Sequence, residues 1–269
     1  MSTRSGFVAL AGRPNVGKST LVNAMVGRKV AIVSDKPQTT RRAIRGVATR
    51  DDVQLVLTDL PGVQRPRDEL TRRMQHRVEQ ELGEADAALF VVNGDQGVGG
   101  PGDQWIAQAL AAAADLGLPD AEVFPVSART GSGVEALVAH LAGLLPAGPF
   151  YFPPEEVSDQ PESVLLAELV REQVLARTRQ ELPHAVEVQV EEVEDRGDLI
   201  TVRALLWVET ESQKGIVIGS GGRMIKAIGS AARRELEREL RAKVHLDLSV
   251  RVRRSWRADD SLLDRLGIT

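Results

Sequence analysis

Apolar runs and helical apolar spacing alternate along the first half of the chain. Gly6 to Ala11 is a short apolar run and reads as a buried strand. Thr20 to Val26 places its apolar residues at helical spacing. Ala43 to Ala48 and Val53 to Thr58 are β-rich runs around the turn Arg50-Asp51-Asp52. Asp68 to Gly83 reads as a charged amphipathic helix. Ala85 to Asn93, with its core Ala87 to Val92, reads as another buried strand. A glycine-rich turn over Gly94 to Gly102, a helix over Asp103 to Ala114, a strand over Ala121 to Val126 and a helix over Gly133 to Leu144 complete the alternation. Strands alternating with helices predict an α/β domain with a mostly parallel sheet and helices on both faces.

The pattern then changes. Pro146 to Pro154 holds four prolines and a glycine in nine residues, which forbids helix and favours extended chain. Acidic residues continue through Glu155 to Glu162. Ser163 reads as the cap of a helix running to about Glu181, with Leu165, Leu166, Leu169, Val170 and Val174 as its apolar stripe. Val186 to Val193 alternates apolar and polar residues as a half-buried strand. Asp195 to Asp198 is a turn, and Leu199 to Glu209 a second strand. Gly215 to Gly229 holds two apolar helical runs on either side of a glycine cluster. Ser230 to Leu240 prolongs the second run, and Lys243 to Val252 is a final strand. This order predicts a separate α+β domain over 163–269, joined by a linker at 149–162 to an α/β domain over 1–148.

Composition is that of a globular protein, 42% hydrophobic and 27% charged. No apolar run approaches the roughly 18 residues of a membrane span. There is no cysteine, which excludes a disulfide framework, a thiol nucleophile and Cys-ligated zinc, and fits a cytoplasmic location. Aromatics make up 3% of the chain, which disfavours nucleic-acid binding by base stacking. The net charge of −4 hides an asymmetry: Pro153 to Asp195 has 12 acidic and 3 basic residues, Ser212 to Arg257 has 12 basic and 4 acidic.

The most informative stretch is Gly12-Arg13-Pro14-Asn15-Val16-Gly17-Lys18-Ser19, a full G-x-x-x-x-G-K-[ST] match between a strand and a helix. Glycines let the backbone curl so that several N–H groups face one anion, and the helix N-terminus adds partial positive charge. Lys18 is placed to reach the β- and γ-phosphates of a nucleoside triphosphate, and the Ser19 hydroxyl to bind Mg²⁺. Asp35 to Arg42 reads as a polar, mobile loop whose Thr39 and Thr40 could offer a further hydroxyl to the metal. Asp59-Leu60-Pro61-Gly62 fits D-x-x-G at a strand end. Its aspartate would hold Mg²⁺ through water, and its glycine N–H would sense the γ-phosphate.

These motifs, with Ser127-Ala128, together resemble a translation-factor-class GTPase, and their order and spacing resemble the Era family. The resemblance implies a nucleotide set of Gly12, Asn15, Val16, Gly17, Lys18, Ser19, Thr20, Thr39, Thr40, Asp59, Gly62, Ser127 and Ala128, with Ser19, Thr40 and Asp59 at the metal. The Thr-bearing and D-x-x-G loops would be switches I and II, and the Ser127-Ala128 backbone would contact the guanine oxygen. Val63, where many GTPases have glutamine, agrees with the Era-like class, so no protein general base is assigned. Asn15 is similar to an asparagine that helps bind K⁺. Two departures stand out. Leu60 replaces the usual threonine. N-K-x-D, whose aspartate pairs with guanine, occurs nowhere in the chain. Asp115 to Asp120 is too short to carry it, and about 30 residues, the scale of one βα unit, have no counterpart here. Without that unit, base selectivity should be poor and affinity low, while the phosphate and Mg²⁺ site remains.

Gly219-Ser220-Gly221-Gly222, with V-I-G before it and I-K-x-I-G after it, resembles the KH loop that clamps a single-stranded RNA backbone. Lys214, Arg223 and Lys226 add positive charge beside it. The element order resembles a type II KH domain, and Ser255-Trp256-Arg257 with Leu262 to Gly267 resemble the Era tail. The resemblance implies a monomeric GTP/GDP switch that binds small-subunit (16S) ribosomal RNA, acts in small ribosomal subunit assembly, and contacts the inner membrane face peripherally. The open alternatives are an RNA-binding module with a degenerate nucleotide site, and a P-loop ATPase, against which Asp59 to Gly62 and Ser127-Ala128 argue.

Overall fold

The computed structural model describes residues 3–36, 38–94, 122–178 and 182–268. The glycine-rich turn beyond Gly94, the helix expected over Asp103 to Ala114 and the connection Asp115 to Asp120 lie outside the described residues. The chain divides into two compact units: residues 1–31, 38–67 and 71–159, and residues 32–37, 68–70 and 160–269.

In the first unit, β1 (Arg4–Ala11), β2 (Ile44–Arg50), β3 (Val53–Asp59) and β4 (Ala87–Phe90) form a sheet of order β2-β3-β1-β4. β1 runs parallel to β3 and β4, and β2 antiparallel to β3. The period-2 alternation of β1 sends Val8 and Leu10 to one face and Ala9 to the other. On the first face they pack with Leu21, Val22 and Met25 of α1 (Lys18–Val26) and with Leu137, Val138 and Leu141 of α3 (Val134–Leu144). On the other face, Ala9 packs with Leu60, Val63 and Val78, the last from α2 (Glu69–Glu84). Helices thus cover both faces, as the sequence pattern predicts.

Two expectations fail here. Residues 122–126 form no strand, because among the described residues nothing pairs with them until the single bridge Ser127–Ser132. β4 is not a buried strand: Ala88 is exposed and its neighbours half-buried, since among the described residues β4 pairs with β1 alone.

The proline-rich stretch is strapped to the first unit. Ser5 N–H donates to Pro146 O at 3.3 Å, and Val47 N–H to Val157 O at 2.8 Å. Between them, the fully buried Gln54 accepts from Tyr151 N–H (2.9 Å) and Phe152 N–H (3.0 Å) and donates to Phe152 O (2.9 Å). Prolines lack N–H groups, so the chain here cannot hydrogen-bond as a regular strand; one side-chain amide supplies the missing partners.

The second unit contains α4 (Glu162–Arg177), α5 (Leu182–Ala185), β5 (Glu187–Asp195), β6 (Ile200–Val208), α6 (Glu211–Ile218), α7 (Arg223–Leu240), β7 (Val244–Val252) and α8 (Asp260–Arg265). Its sheet has the order β5-β6-β7, with β5 antiparallel and β7 parallel to β6. α4 is capped at Pro161, not Ser163, and ends at Arg177, before Glu181, where Thr178 turns extended. A proline at the start of a helix loses no hydrogen bond, which lets the cap fall two residues earlier than expected. Leu166, Leu169, Val170 and Val174 are buried against Val188, Val202, Ala204 and Leu206 of the sheet and Ile228, Ala232 and Leu236 of α7. Ile32, between α1 and Thr39, belongs to this core. Trp256 is fully buried, its indole N–H donating to Ala185 O at 2.9 Å, which fixes the tail to the unit.

Candidate functional site

The phosphate loop joins β1 to α1 at the carboxyl edge of the sheet, where open α/β sheets hold their ligands. Gly17 caps α1 with φ 102°, and Asn15 sits at φ 63° and is exposed. Lys18 is buried, and its ammonium donates to Gly12 O at 3.0 Å and Arg13 O at 2.9 Å, spanning the loop it follows. Burial lowers its pKa from 10.5 to about 8, against the opposing pull of Asp59.

β3 delivers Asp59 to the same edge. Ser19 Oγ donates to Asp59 Oδ2 at 2.6 Å, Thr40 Oγ1 to the same oxygen at 3.2 Å, and the two hydroxyls are 3.2 Å apart. The structure thus brings together the three oxygens that the sequence singles out for a metal. Asp59 is fully buried, and burial raises its pKa although the Lys18 charge and both hydroxyls oppose the shift. Its Oδ1 has no hydrogen-bond partner among the described residues. A buried carboxylate oxygen without a partner, beside two hydroxyls, is a hard oxygen donor set of the kind Mg²⁺ takes. The residues present fit that ion.

The D-x-x-G loop lies against the phosphate loop. Val63 N–H donates to Gly12 O at 3.1 Å. A Cβ on Gly62 would stand 2.6 Å from Pro14 N, so only glycine allows this approach. Thr39, Thr40 and Arg41 are buried, whereas their polar sequence reads as a mobile loop; Thr40 is drawn in by Asp59. Thr20 is half-buried on α1, and Val16 is buried in the loop.

Two contributors went unnoticed in the sequence. Asn23 Oδ1 accepts from Val30 N–H (2.8 Å) and Ala31 N–H (2.9 Å), and its Nδ2 donates to Ala31 O (2.7 Å), fixing the chain as it leaves α1 towards Thr39 and Thr40. A polar residue within the otherwise apolar run Leu21–Val26 was the available signal. Pro14, the neighbour of Gly62, gave none.

Ser127 and Ala128 form a tight turn before α3. Ser127 N–H donates to Ser132 O at 2.8 Å, and Ser127 O accepts from Thr130 N–H at 3.2 Å. Ala128 packs on the core cluster that holds Leu21 and Val22 of the phosphate-loop helix.

In the second unit, Thr210 and Gln213 make a capping box that starts α6. α6 ends at Gly219 (φ 71°, ψ 167°), and Gly221 (φ 61°) and Gly222 (φ 76°) turn the chain into α7. Ser220 and Gly221 are exposed, as are the charged Arg223 and Lys226; Lys214 is half-buried. The acidic stretch is less of a field than its count suggests. Glu168 and Glu187 are buried beside Arg171, whose Nη2 donates to Glu168 Oε2 at 2.7 Å.

A strand–loop–helix phosphate cradle with Thr40 and Asp59 converging on it, followed by a G-x-x-G helix pair on a three-stranded sheet, defines a P-loop GTPase domain joined to a KH domain. Residues 7–116 match the 50S ribosome-binding GTPase family and residues 181–257 the KH domain family. GTPase Era of Mycobacterium avium is 46% identical over 295 aligned positions, covering 98% of this chain and 98% of that protein. Era crystallised with MgGDPNP and nucleotides 1506–1542 of 16S ribosomal RNA has a TM-score of 0.92 at 32% identity, over 99% of both chains. Aquifex aeolicus Era bound to GDP·AlF4⁻ has a TM-score of 0.91 at 32% identity, over 99% of this chain and 100% of that one. The chain belongs to the GTPase Era family. The 295 aligned positions exceed the 269 residues by 26, so at least 26 of them have no residue in this chain.

Proposed function

We propose that this chain binds GTP with Mg²⁺, hydrolyses it slowly, and uses the cycle to switch its engagement of small-subunit ribosomal RNA during assembly of the small ribosomal subunit. The observation that carries this reading is the convergence of Ser19, Thr40 and Asp59 beside Lys18. The phosphate-loop N–H groups and the Lys18 ammonium would hold the triphosphate. Ser19, Thr40 and Asp59 would hold Mg²⁺, which when bound neutralises charge developing on the phosphate oxygens. Gly62, pressed on Pro14, and Thr40, bound to Asp59, would register the γ-phosphate and release on its loss. Val63 offers no group to orient water, which accords with slow turnover. Gly219 to Gly222 would clamp the RNA backbone, with Lys214, Arg223 and Lys226 on its phosphates. The reading makes the protein a cytoplasmic monomer.

The test is binding of a fragment of the 3′ end of 16S ribosomal RNA with Mg²⁺ and either GDPNP or GDP, beside phosphate release from GTP. Tighter RNA binding with GDPNP is expected, and equal binding in both states would defeat the switch. The same turnover assay in K⁺ and Na⁺ buffers examines Asn15; faster release in K⁺ is expected if it helps hold that ion. One observation favours a second reading, an RNA-binding module with little turnover: the absence of N-K-x-D. Release no faster than that of a Lys18→Ala control would favour it.

Nucleotide affinity should also depend on pH. The triphosphate attracts the charged form of Lys18, whose pKa in the free protein is about 8. Below that value the proton is already present. Above it, binding must take up a proton, so Kd should rise by up to about tenfold per pH unit. Titrations between pH 7 and 9.5 would show this; a flat profile would mean that Lys18 does not meet the phosphates.

A further inference from the structure

Arg45 lies on β2, next to Ile44, the register partner of Asp59, and it holds three other segments of the first unit at once. Its Nη2 donates to Glu81 of α2, at 3.0 Å from Oε1 and 3.3 Å from Oε2. Its Nη1 donates to Asp159 Oδ2 at 3.5 Å, and its carbonyl oxygen accepts from Ser158 Oγ at 2.7 Å. The guanidinium stands over the Phe7 ring of β1, 5.4 Å from the centroid. A planar guanidinium can serve two carboxylates through separate nitrogens, which the single nitrogen of a lysine cannot.

The two carboxylates belong to segments with different surroundings. α2 rests on the D-x-x-G loop, where Val78 packs with Leu60 and Val63. Glu81 follows three residues later on the same side of the helix. It is buried, so its charge needs a cation. Arg77 supplies one at 2.6 Å but travels on the same helix. Among the described residues, Arg45 is the cation that reaches Glu81 from another element. Asp159 is the last residue of the first unit, and α4 of the second unit begins at Glu162. In the proposed cycle, loss of the γ-phosphate frees Gly62 and Val63, and α2 is the element packed behind them. A rigid helix that shifts there carries Glu81 with it, and Glu81 cannot leave Arg45 without breaking a buried ion pair. We infer that Arg45 is the positioning residue that ties the helix behind the D-x-x-G loop to Ser158 and Asp159, so that the linker follows the nucleotide state. This rests on the proposed switch between the GTP and GDP states and names the side chain that carries it.

The experiment measures binding of a fragment of the 3′ end of 16S ribosomal RNA, with Mg²⁺ and either GDPNP or GDP, at a fixed low salt concentration. It compares the full wild-type chain with Asp159→Asn, Asp159→Glu and Arg45→Gln. The readout is the ratio of the two Kd values. Removing an acidic charge alters RNA affinity in both states alike, and the ratio cancels that effect. A partly exposed ion pair shifts an equilibrium by up to about fivefold, so Asp159→Asn should lower the ratio by about two- to fivefold. Asp159→Glu keeps the carboxylate and should keep the wild-type ratio. Without RNA, GDPNP affinity and phosphate release of Asp159→Asn should stay within about twofold of wild type, because a surface pair contributes little to the fold. Arg45→Gln should lower the ratio at least as far, and adding Asp159→Asn to it should lower it no further. If Arg45→Gln does not fold, the two Asp159 variants decide alone. A wild-type ratio in Asp159→Asn, or an equal loss in Asp159→Glu, would overturn the inference and leave the switch intact. Equal binding with GDPNP and GDP in the wild type would overturn the switch reading and the inference with it.

Discussion

Replacing Lys18 with alanine is expected to abolish Mg²⁺-dependent nucleotide binding while changing the stability of the protein little. Removing one preorganised donor from a developing charge costs about 10²–10³ in rate, and Lys18 would carry a full charge as well, so phosphate release should fall at least that far. Stability has two opposing contributions. The variant loses the bonds from the ammonium to Gly12 O and Arg13 O, each worth about 1.5–3 kcal/mol as charged hydrogen bonds. It also removes an ammonium whose pKa burial has already lowered to about 8, a sign that the folded state holds that charge at a cost. Asp59, left without its cation, has a pKa already raised by burial and can take up a proton instead of remaining a lone buried charge. The two contributions are of similar size, so the melting temperature should move by a few degrees at most. The decisive measurement pairs a thermal melt with nucleotide titration. A variant that melts normally and still releases phosphate within tenfold of wild type would remove Lys18 from the phosphate site.

The second large effect is expected in the KH loop, where two glycine substitutions should separate folding from RNA binding. Gly219 has φ 71° and ψ 167°, a region open in practice to glycine alone. A Cβ there would stand 2.7 Å from Met224 Cβ and 2.9 Å from Met224 N. Gly219→Ala should therefore cost about 1–3 kcal/mol of backbone strain and lose RNA binding with it. Gly222 has φ 76° and open space around the position of a Cβ. Aspartate tolerates the left-handed region, and a carboxylate at the start of α7 favours the helix by about 0.3–1 kcal/mol. The same carboxylate would face the RNA phosphates. Gly222→Asp should thus keep or raise the melting temperature while weakening RNA binding by roughly tenfold or more at low salt, and by less as salt is added. Wild-type affinity of Gly222→Asp for the 16S fragment would show that the backbone of the RNA does not pass over this loop.

Motifs with fixed local spacing were legible in the sequence. G-x-x-x-x-G-K-[ST], D-x-x-G and G-x-x-G each depend on a few backbone angles and side chains within one turn, so residue order alone specifies them. The strand and helix order followed from apolar periodicity for the same reason. Less legible was whatever depends on a partner distant in the chain. Residues 122–126 have the composition of a strand, but a strand exists only with a neighbour, and the described residues provide one bridge at Ser127. Ser163 has the chemistry of a cap, but Pro161 takes the position. Gln54 stands in a β-rich run that carries no local sign of its role, yet it is fully buried as the clamp of the proline-rich strap.

Sequence by itself determined that this protein carries a phosphate loop, a D-x-x-G motif and a G-x-x-G loop of the KH type, and that it has no N-K-x-D. Only the tertiary structure decided that Ser19, Thr40 and Asp59 meet at one point, although 40 residues separate the first from the last. Only the tertiary structure decided that Gly62 rests on Pro14, that Ile32 belongs to the core of the second unit, and that two acids of the charged stretch are buried beside Arg171. The physical reason is common to all four. Motifs record the short-range geometry that a backbone must adopt around a ligand, whereas burial and convergence come from the packing of distant segments, which no single stretch of chain encodes.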